Sequence, residues 1–142
     1  MNTQQHSDHA LVFGLLDAAN RIELLLNRTL SNTRGISFRE YHLLRELSGF
    51  HRAAATRVDL AAAVGLTPSA VTRALKPLEK LGYVTTQKSD RDARRSLAEL
   101  TAGGRELLAD AQLAVDDVIA GLDLERVDRP AVIASLEQLA RK

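Results

Sequence analysis

Apolar residues recur at nearly helical spacing through the first quarter of the chain: Leu11, Leu15, Ala18, Ile22, Leu25 or Leu26, and Leu30. A period near 3.6 places them on one stripe and predicts a long helix from Asp8 that ends before Gly35. Val12, Phe13, Leu16 and Leu24 fall off that stripe, so the helix is apolar on more sides than one neighbour requires. A partner subunit would account for the surplus. Residues 1–7 read as a polar tail. Phe38, Tyr41, Leu44 and Leu47 then recur every three residues, behind a capping-box pair of Ser37 and Glu40. Gly49 marks the expected end of this second helix.

The middle of the chain carries denser punctuation. Thr56 with Asp59 signals a helix start, Leu60, Ala61 and Val64 form its apolar face, and Gly65 ends it. Thr67 caps the next helix, with Pro68 at the first position, where a missing N–H costs no intrahelical bond. Val71, Ala74, Leu75 and Leu78 face a core, and the small Ala61 suits a close helix crossing. Pro77 predicts a bend separating residues 68–76 from an anchoring segment that ends at Leu81 and Gly82. Tyr83 to Lys88, and Ala98 and Leu100 alternating with Leu97 and Glu99, predict two short antiparallel strands. Ser89 to Ser96 between them, with only alanine as an apolar residue, reads as an exposed hairpin tip.

Thr101 opens another long helix through Leu107, Leu108, Ala111, Val115, Val118, Ile119 and Leu122. Gly103 and Gly104 weaken its first turn by about 1 kcal/mol each. Asp128 and Pro130 start a last helix bearing Val132, Ile133, Leu136 and Leu139. The fold class is therefore mainly α with a small β-hairpin wing. Residues 1–34 read as a tail and first helix, 35–101 as a winged helix-turn-helix, and 102–142 as C-terminal helices; the resemblance described below implies that the first and last of these parts are dimerisation helices.

Composition narrows the function. At 142 residues and 45% hydrophobic, the chain suffices for one domain core. It has no apolar run near the roughly 18 to 20 residues of a membrane span, and residues 1–9 lack a signal-peptide segment, which predicts a cytoplasmic protein without a membrane partner. The absence of cysteine excludes disulfides, thiolate zinc sites and cysteine-based redox sensing. The net charge of +1 hides an uneven distribution: nine basic residues against four acidic ones between Arg52 and Arg95 leave +5 there and −4 elsewhere. A basic middle beside an acidic C-terminal part points to a local polyanion-binding face.

That face has the chemistry of a groove reader. Short hydroxyls read base edges in the DNA major groove, and arginine or lysine pairs with guanine. Ser69, Thr72, Arg73 and Lys76 supply this set on one helical face, away from Val71, Leu75 and Leu78, and Ala70 suits contact with a thymine methyl. Arg57 and Lys88 add flanking positive charge, Lys88 as a phosphate contact. Arg91, Arg94 and Arg95 at the hairpin tip suit phosphates or a narrow minor groove, and Asp92 can orient Arg94. A charged solvent face is the alternative reading of the helix.

Other candidates are weaker. His6, Asp8 and His9 have metal-ligating side chains but read as a solvated tail. His42 and Glu46, four residues apart, read as a surface pair. No glycine-rich phosphate loop, thiol nucleophile, metal-ligand spacing or convincing serine triad is present, so neither catalytic residues, nor a metal site, nor a cofactor is expected.

Five segments in order resemble the MarR family of bacterial transcription regulators: Leu60 to Leu66, Val71-Thr72-Arg73, Leu78 to Val84, Asp92-Ala93-Arg94 and Leu100 to Gly104. The resemblance extends more weakly over nearly the whole chain. It implies a homodimer built from the first helix and the last two, with recognition helices in successive major grooves of double-stranded DNA. Wing arginines would enter the flanking minor grooves, and Arg94 matches the family's wing-tip arginine. It also implies repression of nearby genes, relieved by a small aromatic or anionic effector bound between the dimerisation and DNA-binding parts. Phe13, Tyr41, His42 and Arg45 are candidates to line that pocket, although core packing and surface charge explain them equally. A winged-helix module that binds protein rather than DNA is the rival reading.

Overall fold

The computed structural model describes residues 2–88 and 96–141. In chain order its elements are α1 (Thr3–Arg34), α2 (Phe38–Gly49), a 3-10 turn (His51–Ala53), β1 (Ala54–Thr56), α3 (Arg57–Val64), α4 (Pro68–Lys80), β2 (Val84–Lys88), β3 (Ser96–Leu100), α5 (Ala102–Ala120) and α6 (Arg129–Ala140). The architecture is mainly helical with a small antiparallel sheet, the winged helix-turn-helix expected from the pattern.

From α2 onward, each predicted helix start is held by the predicted cap. Ser37 Oγ accepts from Glu40 N at 3.0 Å while Ser37 N donates to Glu40 Oε1 at 2.9 Å, the reciprocal capping box. Asp59 N donates to Thr56 Oγ1, Ala70 N to Thr67 Oγ1, Gly104 N to Thr101 Oγ1 and Ala131 N to Asp128 Oδ1, all at 3.0–3.2 Å. Gly65 ends α3 in the left-handed region at φ 70°.

Several expectations are corrected. α1 begins at Thr3, not Asp8, because Asn2 and Gln5 form a second capping box and Gln4 Nε2 donates to Asp8 Oδ1. Gly49 ends α2 as expected but does not itself reverse the chain. The chain turns instead at Arg52 and Ala53, whose φ values of 56° and 51° put two non-glycine residues in the left-handed region. That turn delivers a third strand, β1, which the alanine-rich Ala54-Ala55-Thr56 does not announce. β1 pairs with β3 in the register Ala54 to Glu99, Ala55 to Ala98 and Thr56 to Leu97, making the strand order β1-β3-β2. Pro77 lies within α4, which runs on past it to Lys80, and a helix that continues through a proline is compatible with the expected bend.

Two apolar clusters organise the chain. One joins Leu43, Leu44, Leu47, Leu60, Val71, Leu75, Leu78, Val84, Ala98 and Leu100 beneath the helix-turn-helix and sheet. The other joins Leu26, Leu30 and Ile36 to Tyr41, Ala111, Ala114 and Val115, locking the end of α1 to α2 and α5. Arg34 Nε reinforces this second junction, 2.8 Å from Asp110 Oδ2. Upstream of Leu26, α1 leaves apolar side chains exposed both on the stripe, at Leu11 and Ile22, and off it, at Phe13, Leu16 and Leu24, as α6 does at Ile133, Leu136 and Leu139.

Candidate nucleic-acid interface

The α4 helix divides cleanly by side. Val71, Leu75 and Leu78 are fully buried, which fixes the helix on α2, α3 and the sheet. Ser69, Thr72, Arg73 and Lys76 are exposed, and Ala70 is half-buried at the first turn. Thr72 Oγ1 donates to the Pro68 carbonyl at 3.0 Å, leaving its lone pairs free to accept. The result is a polar and basic ridge anchored by an apolar keel, which is how a helix is held for insertion into a groove.

Beside the ridge, Arg73, Ala70, Ala74 and Pro77 share an open concavity of about 600 Å³ with Ser37, Arg39 and Glu40 of the α2 N-terminus. Arg39 therefore stands near the exposed polar face of α4, a neighbour that the sequence pattern does not single out. Its signal, a basic residue just after the Ser37 cap, has meaning only once α2 and α4 are placed side by side.

Lys88 is exposed at the end of β2, where it pairs with Ser96 of β3. Arg91, Asp92, Arg94 and Arg95 lie outside the described residues. Arg57 departs from its expected role as a free cation for DNA. Its side chain is only 17% exposed, and its Nη2 lies 2.9 Å from both Glu79 Oε1 and Thr86 Oγ1. Nη1 donates to Ser96 Oγ at 3.5 Å. The arginine is occupied by α4 and the hairpin because α3 starts directly beneath them.

The four effector-pocket candidates are not gathered. Phe13 is 64% exposed on α1 and packs its ring against His9. Tyr41 is a core residue, and burial pushes its phenol above the ordinary value of 10.0, with nearby Arg45 pulling down and Asp116 pushing up. His42 stacks on Phe38 and lies 3.7 Å from Glu46, the surface pair read from the spacing. It also lines a smaller cavity of about 230 Å³ with Glu23, Phe38, Arg39, Leu43, Val64 and Leu66, between α1, α2 and α3. Arg45 is exposed. Among the described residues no three potential metal ligands cluster, and no helix is long and apolar enough to cross a membrane.

Residues 34–95, the segment that carries this ridge and its supports, match the model of the MarR family. The winged helix belongs to the MarR family. Solved structures extend the likeness along the chain. It is similar to Sco3205, a MarR family transcriptional regulator from Streptomyces coelicolor in complex with DNA, at 25% identity, covering 98% of this chain and 85% of that one with a TM-score of 0.82. It is similar to CouR from Rhodococcus jostii RHA1 bound to p-coumaroyl-CoA, at 25% identity, 91% and 88% coverage, and a TM-score of 0.76. The transcriptional regulator BldR from Sulfolobus solfataricus shares the fold at 22% identity, 98% and 97% coverage, and a TM-score of 0.85. No curated protein matches the sequence. Here α3 and α4 form the helix-turn-helix and β2 and β3 the wing, the arrangement of a winged-helix transcriptional regulator.

Proposed function

We propose that this regulator acts as a homodimer on a pseudo-palindromic duplex and represses transcription until a small molecule releases it. The observation that carries the reading is α4, whose exposed Ser69, Thr72, Arg73 and Lys76 oppose fully buried Val71, Leu75 and Leu78. Such a division fixes the helix and leaves base-reading groups in solvent. Arg73 and Lys76 pair with guanine, Ser69 and Thr72 contact adjacent bases, Ala70 meets a thymine methyl, and Lys88 neutralises a backbone phosphate. The wing arginines Arg91, Arg94 and Arg95, with Asp92 orienting Arg94, reach the flanking minor groove. The similarity to a MarR family regulator solved in complex with DNA supports this assignment.

The dimer is supported by the apolar side chains exposed on α1 and α6. Leu11 and Leu15 line a groove of about 580 Å³ with Val132, Leu136 and Leu139, a surface that one protomer alone leaves in water. A two-fold dimer places two recognition helices about one helical turn, roughly 34 to 36 Å, apart on DNA. For the effector, the cavity lined by Phe38, Arg39 and His42 offers an aromatic wall and a cation between α1 and the DNA-binding helices. CouR, solved with p-coumaroyl-CoA, supports a ligand-responsive reading.

Selection of bound sites from a random duplex pool tests the function. A two-fold consensus with half-sites one turn apart, bound with a steep loss of affinity as salt rises, is the expected result. Weak, sequence-blind association that ignores ionic strength would instead indicate a protein-binding winged helix.

A further inference from the structure

Arg57 sits where three parts of the DNA-binding unit meet. Its guanidinium comes from the first residue of α3 and reaches Glu79 on α4, Thr86 on β2 and Ser96 on β3. The Thr86 hydroxyl closes a triangle by donating to Glu79 Oε1 at 2.8 Å. Among the described residues, Arg57 with Glu79 is the one ion pair within the winged helix that joins different elements.

The strand pairing makes this contact consequential. β2 is an edge strand whose sheet partner is β3, and beyond the core residue Val84 its residues are exposed, so toward Lys88 its side-chain tie to α4 runs through Thr86 and Glu79. Thr86 and Lys88 are two residues apart and so lie on the same side of β2. Ser96 is the cross-strand partner of Lys88. Glu79 follows Lys76 by three residues on α4, about one turn. The cluster thus grips the hairpin next to its phosphate-contacting lysine and the recognition helix next to its base-reading ridge. It also explains an acidic side chain on a DNA-facing helix: Arg57 neutralises Glu79, which would otherwise repel phosphate.

We propose that Arg57 is a positioning residue that, through Glu79 and Thr86, holds Lys88 at the distance from Arg73 at which both engage one duplex. This rests on the DNA-binding reading above. A merely structural role would weaken the contacts of Arg73 and Lys88 alike. A positioning role uncouples Lys88 while the α4 contacts survive.

The test measures affinity of the full chain for its selected duplex in the wild type, R57M, E79Q, R73A, K88A, R57M/R73A and R57M/K88A. R57M is expected to weaken binding about tenfold, the scale of one charge-assisted hydrogen bond. In the R57M background the R73A penalty persists, whereas the K88A penalty and its effect on salt dependence disappear. E79Q weakens binding in the same sense, although it removes a negative charge. Independent effects of R57M and K88A, equal shrinkage of the R73A and K88A penalties, or tighter binding by E79Q would each overturn the proposal while leaving DNA recognition intact. A wild-type chain that selects no duplex would overturn the underlying reading as well. If circular dichroism shows R57M unfolded, T86V replaces it, since it deletes the bridging hydroxyl and keeps both charges.

Discussion

Gly104 at the start of α5 lies directly against the Tyr83 carbonyl that begins the wing. A Cβ added at Gly104 would come within 2.6 Å of Leu100 Cδ1 and closer still to Tyr83 O. The Thr101 hydroxyl donates to the Gly82 carbonyl at 2.7 Å, and Thr101 N donates to Tyr83 O at 3.1 Å. The helix that leaves the sheet is therefore welded to the turn between α4 and β2, and the absence of a side chain permits the contact.

The two neighbouring glycines consequently respond in opposite ways to alanine. Gly104→Ala should destabilise the fold by about 1 to 3 kcal/mol, because backbone must move to admit the methyl group. At Gly103 the nearest atom to a new Cβ is Thr101 Oγ1 at 3.8 Å, ordinary contact. Gly103→Ala should leave stability unchanged or raise it by up to about 1 kcal/mol through helix propensity. Urea unfolding of both variants checks the contrast, and equal effects would refute it.

Base reading and phosphate gripping should separate. Arg73→Ala is expected to cost about 1 to 3 kcal/mol and to relax one position of the selected site. Lys88→Ala should weaken all duplexes alike and reduce the salt slope by about 1. Anisotropy titrations against a panel of single-base variants distinguish them. Sequence-blind loss for Arg73→Ala would remove it from the reading face.

The uncovered apolar surface predicts the oligomeric state. Leu136 and Leu139 are 44% and 58% exposed beside Leu11 of α1. Sedimentation should show a dimer for the wild type, and a monomer with much weakened operator binding for Leu136→Glu with Leu139→Glu. A doubly charged variant that stays dimeric would refute this interface.

Tyr41 supplies an alkaline signature. Because burial raises its folded-state pKa, the folded protein retains the phenolic proton at pH values where the unfolded chain has lost it. The contribution to stability is fully present below about pH 10, the unfolded value, and is lost as pH rises through the folded one. Tyr41→Phe should therefore show a shallower decline in melting temperature above pH 10 than the wild type. Parallel declines would mean that Tyr41 is not the group responsible.

The legible and hidden parts of the molecule differ by the range of the interactions involved. Ser37 with Glu40, Thr56, Thr67, Thr101 and Asp128 announced their helices because a cap is satisfied within three residues. The α4 ridge was legible because helical periodicity alone separates Arg73 from Leu75. β1 was not, since Ala54-Ala55-Thr56 becomes a strand only when β3, more than 40 residues later, supplies hydrogen bonds. Tyr41 and Phe13 were read as pocket neighbours, but the cores around α5 place one inside and leave the other in solvent.

The sequence by itself determined where the helices after α1 begin, which face of α4 is buried, and that positive charge concentrates in the middle of the chain, since all three follow from neighbours a few residues apart. Only the tertiary structure decided the fates of Arg57 and Gly104. A guanidinium is a free cation or an ion-paired strut according to whether a carboxylate 22 positions away is brought to 2.9 Å. A glycine is a helix weakener or a required close contact according to which backbone passes over it. Both outcomes depend on non-local packing, which local residue preferences do not encode.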